Sequence, residues 1–171
     1  MTLTVADIDR WSADAVRTVF HAAGARGQAT LETSRQLSSL SVFDTWEGAT
    51  AEARRHTNAS IRQDLDNHGN ESLAVAQATG KAADGIEHAQ SELRALRHDA
   101  AELHMTIDPA TNKVVPNSTF NDPPMAAFIA EDQLQPRLNT ILAEANAVDQ
   151  ELATAINMGD GDISLAAHPT W

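Results

Sequence analysis

Apolar residues recur every three or four positions along most of this chain, the spacing that lines one face of an α-helix. The period is clearest after Trp46. Ile61, Leu65, His68, Ser72, Val75, Thr79, Ala82, Ile86, Ala89, Leu93, Leu96, Ala100 and Leu103 form a sustained heptad seam, weakest at His68 and Ser72. This predicts one long helix over 47–104, which unbroken would extend about 87 Å at roughly 1.5 Å per residue. Asn67-His68-Gly69-Asn70 is its candidate kink, because glycine and asparagine both loosen a helix.

Upstream, the stripe Val16, Phe20, Ala23, Gly27, Thr30, Ser34 and Leu37 predicts a helix over 13–40, with Ser12 as its cap. The middle of that stripe is small, so a neighbouring helix is expected to pass close there. A short turn before it, running through Arg10, is capped by Thr4 with Asp7 as the reciprocal acceptor. Downstream, Thr106-Ile107 and Val114-Val115 flank Asp108-Pro109-Ala110-Thr111-Asn112, which reads as a β-hairpin over 106–115 with Asn112 left-handed. Asp122 is expected to cap a last helix over 122–157, kinked or restarted at Pro136. Its seam is Leu134, Leu138, Ile141, Ala145, Val148, Leu152 and Ala155. Residues 159–171 show no period and are expected to form a disordered tail.

Between the first two long helices, Asp44 can cap the second, with Glu47 returning the bond. Trp46 then buries a large surface at the corner, and Gly48 leaves room for the facing helix. The expected fold class is all-α, with residues 1–158 as a single helical domain. It is an elongated antiparallel helical bundle with a helix-turn-helix corner at Trp46-Glu47-Gly48 and a small β-hairpin insertion.

Composition supports that class. Alanine accounts for more than one residue in six of the 171, while aromatics are only 4% and tyrosine is absent, which favours helices over sheet. The chain has no cysteine, which removes disulfides, cysteine-ligated metals and thiol nucleophiles. The formal charge of −12 disfavours nucleic acid, and the basic residues do not cluster: only Arg54-Arg55 are adjacent. No apolar run approaches the roughly 20 residues of a membrane span. Asp7, Asp9 and Asp14 stand where a secretory signal needs a basic start and an apolar stretch, so any export is expected by a signal-peptide-independent route.

Catalytic and metal templates fail. There is no Gly-x-Ser-x-Gly elbow, phosphate-cradling glycine loop or His-Glu-x-x-His. His98 and His104 are off register for one helix face, and His88 with Asp84 makes only two ligands. Asp160-Gly161-Asp162 lacks the closing glutamate of a calcium loop. The residues therefore point to no enzyme, no cofactor and no metal.

The stretch Val42-Phe43-Asp44-Thr45-Trp46-Glu47-Gly48-Ala49, followed by a long amphipathic helix, resembles the WxG-motif helical hairpins of type VII (ESX) secretion, common in actinobacteria. The resemblance is strongest over residues 13–104. The stretch 107–115, Leu134-Gln135-Pro136-Arg137-Leu138 and Ile156-Asn157-Met158 resemble the helical N-terminal region of larger actinobacterial proteins that carry a C-terminal α/β-hydrolase domain. The resemblance implies a secretion-linked helical module, with Trp46, Gly48 and Phe43 as the export or partner motif. It also implies a location that is secreted or associated with the cell envelope, and cytoplasmic before export. The implied partner is a second copy, a WxG-type helical protein or the secretion machinery, seated on an apolar strip left uncovered by the three helical segments. The family pairs its corner with a Tyr-x-x-x-Asp/Glu element. This chain has no tyrosine, so a partner supplies that element or the signal is lost. The alternative reading is the regulatory or scaffolding region of an α/β-hydrolase; a third is a structural coiled-coil adaptor.

Overall fold

The computed structural model describes residues 2–40 and 47–159. They are mostly helical, with one two-stranded antiparallel sheet. In chain order the elements are α1 (Val5–Arg10), α2 (Ala13–Ser38), α3 (Ala49–Glu102), β1 (Met105–Asp108), β2 (Lys113–Pro116) and α4 (Pro124–Gly159). The chain divides into two compact units. Among the described residues, one comprises 2–16 with 81–152, the other 17–40 and 47–80 with 153–159.

The first unit holds the larger apolar core. Ala89, Leu93, Leu96 and Ala100 of α3 pack with Leu134, Leu138, Ile141 and Ala145 of α4, and Met105, Ile107 and Val114 of the sheet close one end. The two helices run antiparallel, as three cross-pairs show: Gly85 against Val148, Lys81 with Glu151 at 3.2 Å, and Asp99 with Arg137 at 2.7 Å. The second part of the α3 stripe, from Ala89 to Ala100, and the α4 stripe from Leu134 to Ala145 lie on this interface, because only a 3–4 period keeps one face inward over so many turns. Ile61, at the other end of the expected α3 stripe, is exposed. In the hairpin, Ile107 pairs with Val114 and Asp108 with Lys113. The Asp108 carboxylate accepts from the Ala110 and Thr111 amides, and Asn112 takes the expected left-handed conformation at φ 58.

α1 packs onto this core. Its capping box is present as expected, with Thr4 and Asp7 bonded reciprocally, and Val5 and Ile8 are fully buried. The Asn112 side chain accepts from the Val5 amide at 2.9 Å and donates to the Leu3 carbonyl at 3.0 Å. Gln90 of α3 donates to the carbonyls of Ile8 and Trp11, and Arg97 holds Asp9 with two bonds of 2.8 and 2.7 Å.

In the second unit α2 packs antiparallel on the first half of α3. Every member of the expected α2 stripe, from Val16 to Leu37, is buried or half-buried. The Ser12 hydroxyl oxygen caps the helix by accepting from the Ala15 amide at 3.1 Å.

Element ends differ from the sequence expectation by one or two residues, each with a local cause. α4 starts at Pro124, not 122, because Asp122 and Pro123 each precede a proline and are held out of helical conformation. It then continues through Pro136 without a restart. α3 ends at Glu102, not 104, since His104 adopts φ 54 and turns the chain into β1. Leu103, expected on the seam, is consequently exposed. α3 is assigned as one continuous helix through Asn67–Asn70, the candidate kink. The expected tail from Asp160 onward lies outside the described residues.

Candidate functional site

Of the three residues singled out at the corner, Phe43 and Trp46 lie outside the described residues, as does Asp44, the expected cap. Gly48 is described. It stands immediately before α3 with φ +103, and its carbonyl accepts the first helical bond from the Glu52 amide at 3.1 Å. Gly48 therefore occupies the cap position, and α3 begins at Ala49 instead of residue 47. No described atom lies within 4 Å of where its Cβ would be. The expectation that Gly48 makes room for a facing helix is corrected: the backbone conformation, which side chains with a Cβ rarely adopt, is what calls for glycine there.

The close helix approach is further from the corner. A Cβ on Gly27 of α2 would lie 2.8 Å from Leu73 Cγ and 2.9 Å from the Gly69 carbonyl oxygen. A Cβ on Gly69 would in turn lie 2.7 Å from Leu31 Cγ and 3.2 Å from the Gly27 carbonyl oxygen. Two facing glycines thus let the α2 and α3 backbones meet. Gly69 is buried here, while His68, placed on the seam by the sequence, is turned outward with its side chain 75% exposed. The seam slips by one residue because the packing is set by the smallest side chain and not by the most apolar one. A signal for this was present: Gly27 and Gly69 are equally distant in sequence from Gly48, as a hairpin turning there requires.

Polar contacts fix the register of the same hairpin. Ser34 Oγ donates to the Arg62 carbonyl at 3.3 Å, and Asn58 Nδ2 donates to the Leu37 carbonyl at 3.4 Å, which satisfies a terminal acceptor of α2. Alongside runs a groove of about 370 Å³ whose lining includes Thr18, Val19, Arg26, His68 and Glu71.

Among the described residues the histidines do not assemble into a constellation. His88 Nε2 is 3.8 Å from Glu144 across the helix pair, His98 is 3.6 Å from Glu102, and His104 Nδ1 is 3.1 Å from Thr119 Oγ1. Among the described residues no group of three or more histidine or carboxylate side chains could hold a metal ion. Three carboxylates are held below their ordinary range. Asp7 is lowered chiefly by the Thr4 hydroxyl, Asp9 by hydrogen bonds from Arg97, and Asp108 by the Ala110 amide. All three secure α1 or the hairpin, so these shifts belong to structure.

The geometry defines a helical protein whose α2 and α3 form a glycine-packed antiparallel hairpin, opening its second helix at the third residue of Trp46-Glu47-Gly48. The chain belongs to the family described as "Uncharacterised protein Rv0964c", whose model matches residues 41–170. That match spans the corner, α3, the sheet and α4. No solved structure matches the chain.

Proposed function

We propose that this chain is a type VII (ESX) secretion-associated helical module, used for export or partner pairing and without turnover of its own. One observation carries the reading: an antiparallel helical hairpin whose second helix starts from a positive-φ Gly48 in the sequence Trp46-Glu47-Gly48. The resemblance of residues 13–104 to WxG hairpins supplies the function that goes with that architecture. Export is by a signal-peptide-independent route, to the envelope or beyond, and the partner is a second copy, a WxG-type helical protein or the secretion machinery. Among the described residues no helix is long and apolar enough to cross a membrane.

The test is paired: a thermal melt of Trp46→Ala, and a secretion assay of the same variant in an ESX-competent host. The expected result is modest destabilisation with impaired export. Normal export per folded molecule would sink the proposal, whatever the melt shows. A reproducible esterase activity that disappears on changing a single serine or histidine would remove the non-enzymatic part.

A further inference from the structure

We propose that the exposed face at the start of α4 docks an amphipathic helix of another protein, one that carries lysine or arginine beside its apolar stripe. Met125, Phe128 and Ile129 are 68%, 65% and 59% exposed, and their i, i+3, i+4 spacing places them together on one side of the helix. The opposite side of α4 is satisfied in the core through Ala130 and Leu134. In a chain with only four phenylalanines and three tryptophans, an aromatic turned outward next to two large aliphatics is a contiguous apolar patch of the kind that marks a binding surface.

The patch continues into a groove of about 250 Å³ lined by Phe128, Glu131, Asp132, Gln135, Pro136 and Asn139. The groove wall is fixed in advance. Gln135 accepts from the Val114 amide and donates to the Asn112 carbonyl, both at 2.9 Å, and donates to Asn139 at 3.1 Å. Pro136 has no N–H, so the Asp132 carbonyl lacks its usual helical donor four residues on.

Charge selects the occupant. Glu131 and Asp132 flank the patch, Asp122 lies just before the helix, and none of the three forms an ion pair among the described residues. A second copy docking by the same patch would bring its own Glu131 and Asp132 into the same interface and double the negative charge there. An anionic lipid surface or nucleic acid is repelled for the same reason. A helix with apolar anchors for Phe128 and cations for Glu131 and Asp132 satisfies both features. This surface lies outside the α2–α3 hairpin, so the proposal stands or falls apart from the secretion reading.

The experiment titrates the isotope-labelled protein with a soluble Leu/Lys amphipathic helical peptide, and separately with a Leu/Glu peptide of the same pattern, followed by NMR. The expected result is binding of the Leu/Lys peptide with shifts concentrated in residues 122–139. Phe128→Ser should weaken binding about tenfold or more, as loss of a central aromatic anchor does. The charge-reversed variant carrying Glu131→Lys and Asp132→Lys, which alters only exposed side chains, should transfer the preference to the Leu/Glu peptide. Three results would overturn the proposal: no binding, shifts spread over the acidic surface and unaffected by Phe128→Ser, or self-association by light scattering that Phe128→Ser abolishes.

Discussion

At the residue scale, the α2–α3 crossing makes opposite demands on two glycines three positions apart. Replacing a helical glycine by alanine ordinarily stabilises by about 1 kcal/mol, because the unfolded chain loses freedom. At Gly24 the new methyl would sit 3.8 Å from Ala76 Cβ, an ordinary contact, so Gly24→Ala should gain up to about 1 kcal/mol. At Gly27 the same methyl meets a backbone oxygen at 2.9 Å as well as Leu73, and backbone in a paired helix does not yield cheaply. Overpacking of this kind costs about 1–3 kcal/mol, so Gly27→Ala should be a net loss of up to about 2 kcal/mol after the helical gain. Chemical denaturation of both variants checks the pair. Equal gains at the two sites would show that the helices do not approach as closely as described.

At the element scale, α1 and the β-hairpin combine buried apolar contacts with polar bonds to carboxylates, and those bonds make them acid-sensitive. Asp7, Asp9 and Asp108 all have lowered folded pKa values, so the unfolded state binds protons first as pH falls. Their contribution is therefore complete above the ordinary carboxylate pKa of about 3.9 and is lost as pH drops through the lowered folded values. Thermal melts at neutral pH and near pH 3 should show this loss, and Asp9→Asn should reduce it. At neutral pH that variant should cost about 0.5–1 kcal/mol, the range of a partly exposed bidentate pair. An unchanged pH dependence in Asp9→Asn would remove the Asp9–Arg97 bond from the account. These same elements mark the boundary of what the sequence makes legible. The seam from Ala82 to Ala100 and the stripe from Leu134 to Ala145 are readable because burial there follows apolarity. The capping box and the Asn112 turn are readable because they depend on neighbouring residues alone. The docking of α1 is not, since Gln90 and Asn112 act on main-chain groups far away in sequence, and nothing periodic announces that. Around His68 and Gly69 the reading fails for a different reason: small residues carry the contact, and apolarity does not mark them. Of the candidate corner, only Gly48 can be compared with the expectation, and its value lies in its φ angle and not in clearance.

At the scale of the whole molecule, α3 is one continuous helix whose residues fall in two compact units. Its two stretches owe their stability to different packing. Residues 82–100 rest on the core that Val5 and Ile8 help to close, whereas residues around 58–80 pack on α2 through Gly69, Leu73, Ala76 and Gly80. Removing residues 2–11 would expose the surface under Val5 and Ile8, each worth about 1.5–3 kcal/mol, for a total of about 3–6 kcal/mol. It would also release the side chains of Gln90 and Arg97 from their α1 partners. An isolated helix gains little from its own backbone bonds and depends on tertiary packing for its protection. Hydrogen exchange along α3 is therefore the discriminating measurement. Amides from Ala82 to Ala100 should lose protection on truncation, by several orders of magnitude if the full 3–6 kcal/mol is felt locally, at about 1.4 kcal/mol per factor of ten. Amides in the 58–80 stretch should retain theirs, because the contacts of α2 with Gly69 and Gly80 are untouched. Uniform loss along the helix would mean that α3 unfolds as one cooperative piece, and the two units would then be a geometric division without separate stability.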